Sequence, residues 1–88
     1  METENEILLA RKERAILGKE IRYILLARGG GTTSFLVTVE YCGEAKTCSL
    51  GSSFSGAAEI FRALEEGLVT PCTLAEVVVD LQKLRTTI

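Results

Sequence analysis

Histidine and tryptophan are missing from this 88-residue chain, and proline occurs once, at Pro71. Without histidine the chain has neither the commonest neutral-pH acid–base group nor the commonest metal ligand. The three cysteines, Cys42, Cys48 and Cys72, are odd in number and none has Cys-x-x-Cys spacing. Neither a zinc site nor a fully paired disulfide framework is expected. A bridge between Cys42 and Cys48 across a turn stays open; otherwise the three read as buried or half-buried free thiols in a reducing compartment. Cys72 precedes a helix start but has no adjacent base to make its thiol reactive. No apolar run approaches the ~18–20 residues of a membrane span. The opening Met-Glu-Thr-Glu-Asn-Glu is acidic where a signal peptide is basic, so a cytoplasmic location is expected.

What remains is the composition of a small globular domain. Hydrophobic residues make up 47% of the chain and charged residues 25%, with 10 basic against 12 acidic side chains. That apolar share, at a net charge of −2, argues against disorder. Residues 1–88 read as one domain, with residues 1–10 either a flexible tail or a segment that covers part of it. A chain this short buries only about 60–65% of its unfolded surface, so its own core is thin.

The middle of the chain is the most legible. Residues 20–28 alternate Ile21, Tyr23, Leu25 and Ala27 against Arg22, Ile24, Leu26 and Arg28. Residues 34–41 alternate Phe35, Val37, Val39 and Tyr41 against Ser34, Leu36, Thr38 and Glu40. Period two with β-branched and aromatic residues predicts strands. The Gly29-Gly30-Gly31-Thr32-Thr33 link suits an antiparallel hairpin and is too short for a parallel crossover. Cys42-Gly43 marks another turn, after which 45–50 returns as a strand. The first 19 residues contain good helix formers, yet no helical face gathers their apolar side chains. Leu17-Gly18-Lys19 reads as a tight turn, so a strand over about 11–17 is favoured over a helix for the segment 5–17.

Two helices follow. Ser55 is placed to cap a helix over 56–66 with the apolar stripe Ala57, Ile60, Phe61 and Leu64. Gly67 is expected to end it in the left-handed conformation, with Leu68 making the accompanying apolar contact. Pro71 forces Thr70 to be extended. Thr73 and Glu76 have capping-box spacing, and Leu74, Val77, Val78, Leu81 and Leu84 repeat as one face of a helix over 74–84. The fold class is therefore α+β: an antiparallel three- to four-stranded meander followed by two helices packed on one sheet face. That face should present Ile21, Tyr23, Leu25, Phe35, Val37 and Val39 to Ile60, Phe61, Leu64, Leu74, Val78 and Leu81.

Motifs for chemistry are sparse. The triple glycine joins strand to strand, whereas phosphate loops run from a strand into a helix N-terminus. Serines and threonines have no histidine base and no Gly-x-Ser-x-Gly elbow. Glu65 and Glu66 end a helix, and Glu76 and Asp80 are explained by capping and solvation rather than by a cleft in which two carboxylates split their pKa values. The expectation is of no catalytic activity, no metal and no cofactor. Positive charge does concentrate at Arg11, Lys12, Arg14, Lys19, Arg22 and Arg28, offset there by Glu13 and Glu20. A basic surface of Arg11, Lys12, Arg14, Arg22 and Arg28 is the alternative functional reading, a nucleic-acid-binding module over 11–28. Against it, the aromatic residues Tyr23, Phe35 and Tyr41 share the core face, whereas single-strand binders need exposed aromatics.

The C-terminal third, Leu64-Glu65-Glu66-Gly67-Leu68-Val69-Thr70-Pro71-Cys72-Thr73-Leu74-Ala75-Glu76-Val77-Val78-Val79-Asp80-Leu81, resembles the end of a group of small uncharacterised Firmicutes proteins classed as a domain of unknown function. The Tyr23 strand and the Val37-Thr38-Val39-Glu40 strand are similar too, so the resemblance spans about residues 20–82. Ser53-Phe54-Ser55-Gly56 departs from the more acidic helix start of that group. The resemblance implies a bacterial, cytoplasmic source and brings no activity, cofactor or catalytic residue with it.

The leading functional expectation is thus a non-enzymatic interaction or regulatory module acting through protein contacts. If Ile21, Tyr23 and Leu25 face the helices, then Ile24, Leu26 and Leu36 face away, with Leu50 as a further candidate. A contiguous apolar patch rimmed by polar groups marks a contact surface, and a two-fold homodimer through this uncovered face is expected. The other reading has Ile7 to Ala10 fold back over the patch within one chain.

Overall fold

The computed structural model describes residues 5–29 and 33–86; residues 1–4, 30–32 and 87–88 lie outside the described residues, as do the side chains of residues 5 and 84–86, among them Leu84. Four strands, β1 (Asn5–Ile16), β2 (Lys19–Gly29), β3 (Ser34–Tyr41) and β4 (Glu44–Gly51), form an antiparallel sheet in chain order. Helix α1 (Phe54–Glu66) follows, then a 3-10 turn at Pro71–Thr73 that leads into α2 (Leu74–Thr86). The α+β meander with both helices after the sheet is as the hydropathy pattern predicts.

Alternation sorts the side chains. Ile21, Tyr23, Leu25 and Ala27 on β2 and Phe35, Val37 and Val39 on β3 point to one face and are buried with Leu50. Ala57, Ile60, Phe61 and Leu64 of α1 and Leu74 and Val78 of α2 complete the same core cluster, with Leu81 packed at its margin. The molecule measures 41 × 40 × 18 Å, two layers thick, with the second sheet face uncovered by helices.

The turns explain the register. Leu17 and Gly18 both have positive φ (52° and 80°), as do Cys42 and Gly43 (53° and 78°). Two central residues of this kind make the tight hairpin turns whose twist matches that of strands. The second turn places Tyr41 opposite Glu44, so Cys48 lies opposite Val37 and Cys42 sits in the turn itself. Cys42 and Cys48 are therefore not cross-strand neighbours, and all three cysteines are free.

Several local expectations need correction. Residues 5–10 neither hang free nor cover the sheet: they continue β1, with Ile7 opposite Ala27 and Leu8 opposite Leu26. A bulge between Leu8 and Ala10 makes this pairing fit, since it lets the apolar end of β1 keep its place after the register slips by one residue. Helix α1 is capped by Ser53 rather than Ser55; the Gly56 N–H donates to the Ser53 hydroxyl at 3.2 Å. The earlier start brings the Phe54 ring edge-on against Phe35, centroids 5.7 Å apart. The capping box is not used as expected, because the Thr73 hydroxyl donates to the Thr70 carbonyl inside the 3-10 turn.

The end of α1 is the most informative departure. Gly67 has φ −86°, and Leu68 takes the left-handed position at φ 52°. Leu68 N–H donates to Glu65 O at 3.3 Å and Val69 N–H to Leu64 O at 3.1 Å, a Schellman ending built around a leucine. Glycine at 67 relieves crowding: a Cβ there would lie 3.2 Å from the Ala63 carbonyl oxygen, a tight contact. The turn delivers Val69 to the core, and the Tyr23 hydroxyl donates to the Val69 carbonyl at 2.9 Å.

Two measurements check these points. Leu17 is 94% exposed and contributes almost no burial, so Leu17→Asn should relieve its positive-φ strain alone. Roughly 1 kcal/mol of added stability, or about 4–8 °C in the thermal midpoint, is expected for a domain of this size. Burial pushes the Tyr23 phenol up to about 12, with Arg14 opposing and Glu65 adding to the shift. The folded state thus holds the proton where the unfolded chain has lost it, so this stabilisation is intact below pH ~10 and is lost as pH rises toward ~12. Tyr23→Phe should cost about 1–2 kcal/mol at neutral pH, and the gap from wild type should close across that alkaline window in urea titrations.

Candidate functional site

The open sheet face is the candidate site, and strand register defines it row by row. Leu8, Leu26, Leu36 and Ser49 stand side by side across the four strands. The next row holds Arg11, Ile24, Thr38 and Thr47, and the one beyond it Glu13, Arg22, Glu40 and Ala45. On the other side of the leucine row lie Glu6, Arg28 and Ser34. The structure therefore brings Ile24, Leu26 and Leu36 together as predicted. Leu8, 56% exposed, joins them. Leu50 does not: once Tyr41 pairs with Glu44, parity turns Leu50 to the helix side, where it is buried.

The patch is low in relief. Ile24 and Leu26 are half-buried, and Leu36 is 9% exposed although it lies on the uncovered face. Around it the polar groups are already organised. Thr38 and Thr47 hydroxyls meet at 2.8 Å. Arg22 reaches Glu40 at 2.9 Å, Glu13 at 3.3 Å and Glu20 at 3.4 Å, while Arg11 pairs with Glu13 at 2.7 Å. The hydrogen bond from Arg11, opposed by partial burial and aided by Arg22, lowers the Glu13 carboxyl below its usual range. Arg28 pairs with Glu6 at the opposite end.

The basic stretch does not form one surface. Arg11, Arg22 and Arg28 project from the open face, whereas Lys12 and Arg14 pair with Tyr23 and Ile21 and so share the helix side. Arg14 is held there by Glu65 of α1 at 2.8 Å. Adjacent residues on a strand point to opposite faces, so a run of charges in sequence becomes two half-runs in space. The four arginines of the stretch each meet a glutamate.

One hollow borders the charged end of this face and another lies away from it. The first, of about 360 Å³, sits at the end of the sheet between Glu20, Arg22, Glu40, Cys42 and Glu44. The second, of about 340 Å³, separates β1 from α1 and is lined by Leu9, Ala10, Phe54, Ala58 and Phe61 among others. Among the described residues no group of three or more cysteines and carboxylates is placed to hold a metal ion. No described helix is long and apolar enough to cross a membrane.

Leu8 and Phe54 are the surface residues that sequence reasoning missed. Leu8 sits in the legible run Ile7-Leu8-Leu9-Ala10, but its face depends on the bulge, which hydropathy does not encode. Phe54 was hidden by placing the helix start two residues late. Compared with known proteins, the chain matches no family model, no curated protein and no solved structure.

The thiols differ from the buried or half-buried expectation. Cys42 and Cys72 are exposed, and only Cys48 is half-buried, packed against the core, where burial pushes its thiol up against a smaller opposing effect of the Ser49 backbone. Alkylation of the native protein at pH 8, followed by mass spectrometry, should modify Cys42 and Cys72 first. Cys48 should react at least tenfold more slowly, because both access and thiolate fraction are reduced.

Proposed function

We propose that the protein is a small non-enzymatic interaction module whose working surface is the open face of its sheet, used first of all for self-association as a homodimer. The observation that carries this reading is the row of Leu8, Leu26 and Leu36 with Ile24 beside it, on the face that neither helix covers. Apolar side chains at the centre, with threonines, serines and paired charges at the margin, have the arrangement of a contact surface rather than of a solvated sheet. A chain with so thin a core gains from stacking a second sheet on this one. The resemblance to small Firmicutes proteins supports a bacterial, cytoplasmic setting, in which a further protein partner would be met.

A nucleic-acid module is the weaker reading. It needs Arg11, Lys12, Arg14, Arg22 and Arg28 on one surface, and their division between the two faces, with glutamates beside the arginines, speaks against it. Catalysis is weaker still. Glu6, Glu13, Glu40 and Glu65 are engaged by arginines, and the Cys48 thiol is shifted away from the thiolate.

Light scattering at micromolar concentration tests the proposal. Wild type should run near twice the 9.6 kDa chain mass. Leu26→Glu, which places a charge in the middle of the patch, should yield monomers with an unchanged circular-dichroism spectrum. A wild type that stays monomeric through dilution and concentration would rule the dimer out.

A further inference from the structure

The open face is self-complementary under one particular two-fold axis, and the interleaving of its charges identifies it. We propose that two copies stack open face to open face about an axis parallel to the strands and midway between β2 and β3, so that Leu26 covers the partner's Leu36 and Arg22 faces the partner's Glu40. The proposal rests on the open-face reading above and adds the register.

The argument is geometric. Such an axis leaves positions along the strands unchanged and exchanges β2 with β3 and β1 with β4. Each row of the face then meets the same row of the partner in reverse order. In the leucine row, Leu26 and Leu36 meet their counterparts at the centre, and Leu8 meets the partner's Ser49. In the next row Ile24 meets the partner's Thr38. In the charged row, Arg22 and Glu40 are adjacent within a chain at 2.9 Å, so the exchange builds a square of four charges with alternating sign. This square falls toward the end of the sheet, at the rim of the contact, where charges set register more than affinity.

Other axes do worse. One running along β2 sets Arg22 against Arg22 and Glu13 against the partner's Glu40, like charges in both cases. One running across the strands through the leucine row carries the Glu13–Arg22–Glu40 row past the end of the partner's sheet and sets Ile24 against Arg28. An axis between β1 and β2 pairs Glu13 with Arg22 and Glu6 with Arg28, but it overlaps only two strands of each sheet and leaves Leu36 outside. The central axis covers all four strands. At ~4.8 Å between strands and ~3.3 Å per residue, their projected face is about 600 Å². That is the order of the ~800 Å² per partner in a standard stable interface.

Reciprocal charge exchange tests the register. Arg22→Glu alone and Glu40→Arg alone should each weaken the dimer by on the order of tenfold or more, since like charges then meet across the axis. An equimolar mixture of the two variants should regain a species of twice the chain mass, because every cross-chain pair is again opposite in sign. Each variant keeps its own unfavourable pair within the chain, so recovery on mixing reports the contact between chains. The double variant R22E/E40R restores the pair between positions 22 and 40 inside each chain and across the axis, though not the pairs with Glu13 and Glu20; with its circular-dichroism spectrum unchanged it should dimerise, and it decides the matter if either single variant fails to fold. Under the axis between β1 and β2, Glu40→Arg would have no effect and the double variant would be repelled by Glu13. A dimeric wild type with Glu40→Arg unchanged, a mixture that stays monomeric, or a monomeric double variant overturns the register while leaving open-face association standing. A monomeric wild type overturns both.

Discussion

One hydroxyl group ties the two layers of this fold together. Tyr23 is fully buried in the middle of the sheet, and its ring lies among apolar neighbours that offer the phenol no partner. The carbonyl of Val69, in the link between the two helices, is where that need is met. The carbonyl is brought there by the Schellman ending of α1, in which Gly67 leaves the Ala63 carbonyl uncrowded and Leu68 takes a positive φ. A buried hydroxyl left unpaired costs about 1–3 kcal/mol, comparable to the strain that Leu68 bears. The helical layer is thus positioned on the sheet by a polar requirement as well as by packing. No buried side-chain nitrogen or oxygen among the described residues is left unpaired.

Parity organises everything on the sheet itself. The same alternation that hides Ile21, Val37 and Val39 presents Ile24, Leu26 and Thr38 to the outside, and it divides the basic stretch into two groups that do not cooperate. The opposing charges it leaves on the open face are arranged across strands, where Glu13, Arg22 and Glu40 stand in line. Cross-strand pairs of opposite charge help to hold register, which matters on a face whose rows of leucine would otherwise tolerate slippage.

The sheet was legible because its signal is periodic. Nine alternating residues over 20–28 and eight over 34–41 suffice to name the buried face, and two Xaa-Gly steps mark the tight turns. The open-face trio followed from the same parity. What stayed hidden has no period. The bulge at Leu9 decides where Leu8 points; the pairing of Tyr41 with Glu44 decides where Leu50 points; and both depend on the partner strand rather than on local sequence. The helix ends failed for another reason. Ser53 and Ser55 are equivalent candidates by residue type, and a left-handed leucine next to an available glycine is chosen by the Val69 carbonyl, a contact 46 residues from its partner. The charge run 11–28 makes no single surface because alternation along the strands divides it between the two faces.

The order of the strands has a consequence for how the molecule comes into being. Each strand lies beside its predecessor, and two of the three connections in the sheet are only two residues long. Bringing such strands together closes short loops, for which the entropy lost is small, and no pairing has to wait for a distant segment to diffuse back. A meander of this kind has low contact order for a sheet-rich protein, so it belongs with the quicker folders of its class. The contacts from sheet to helical layer, Tyr23 to Val69 and Arg14 to Glu65 among them, can be made only once the helices have arrived, and they close an assembly whose order is already written in its turns.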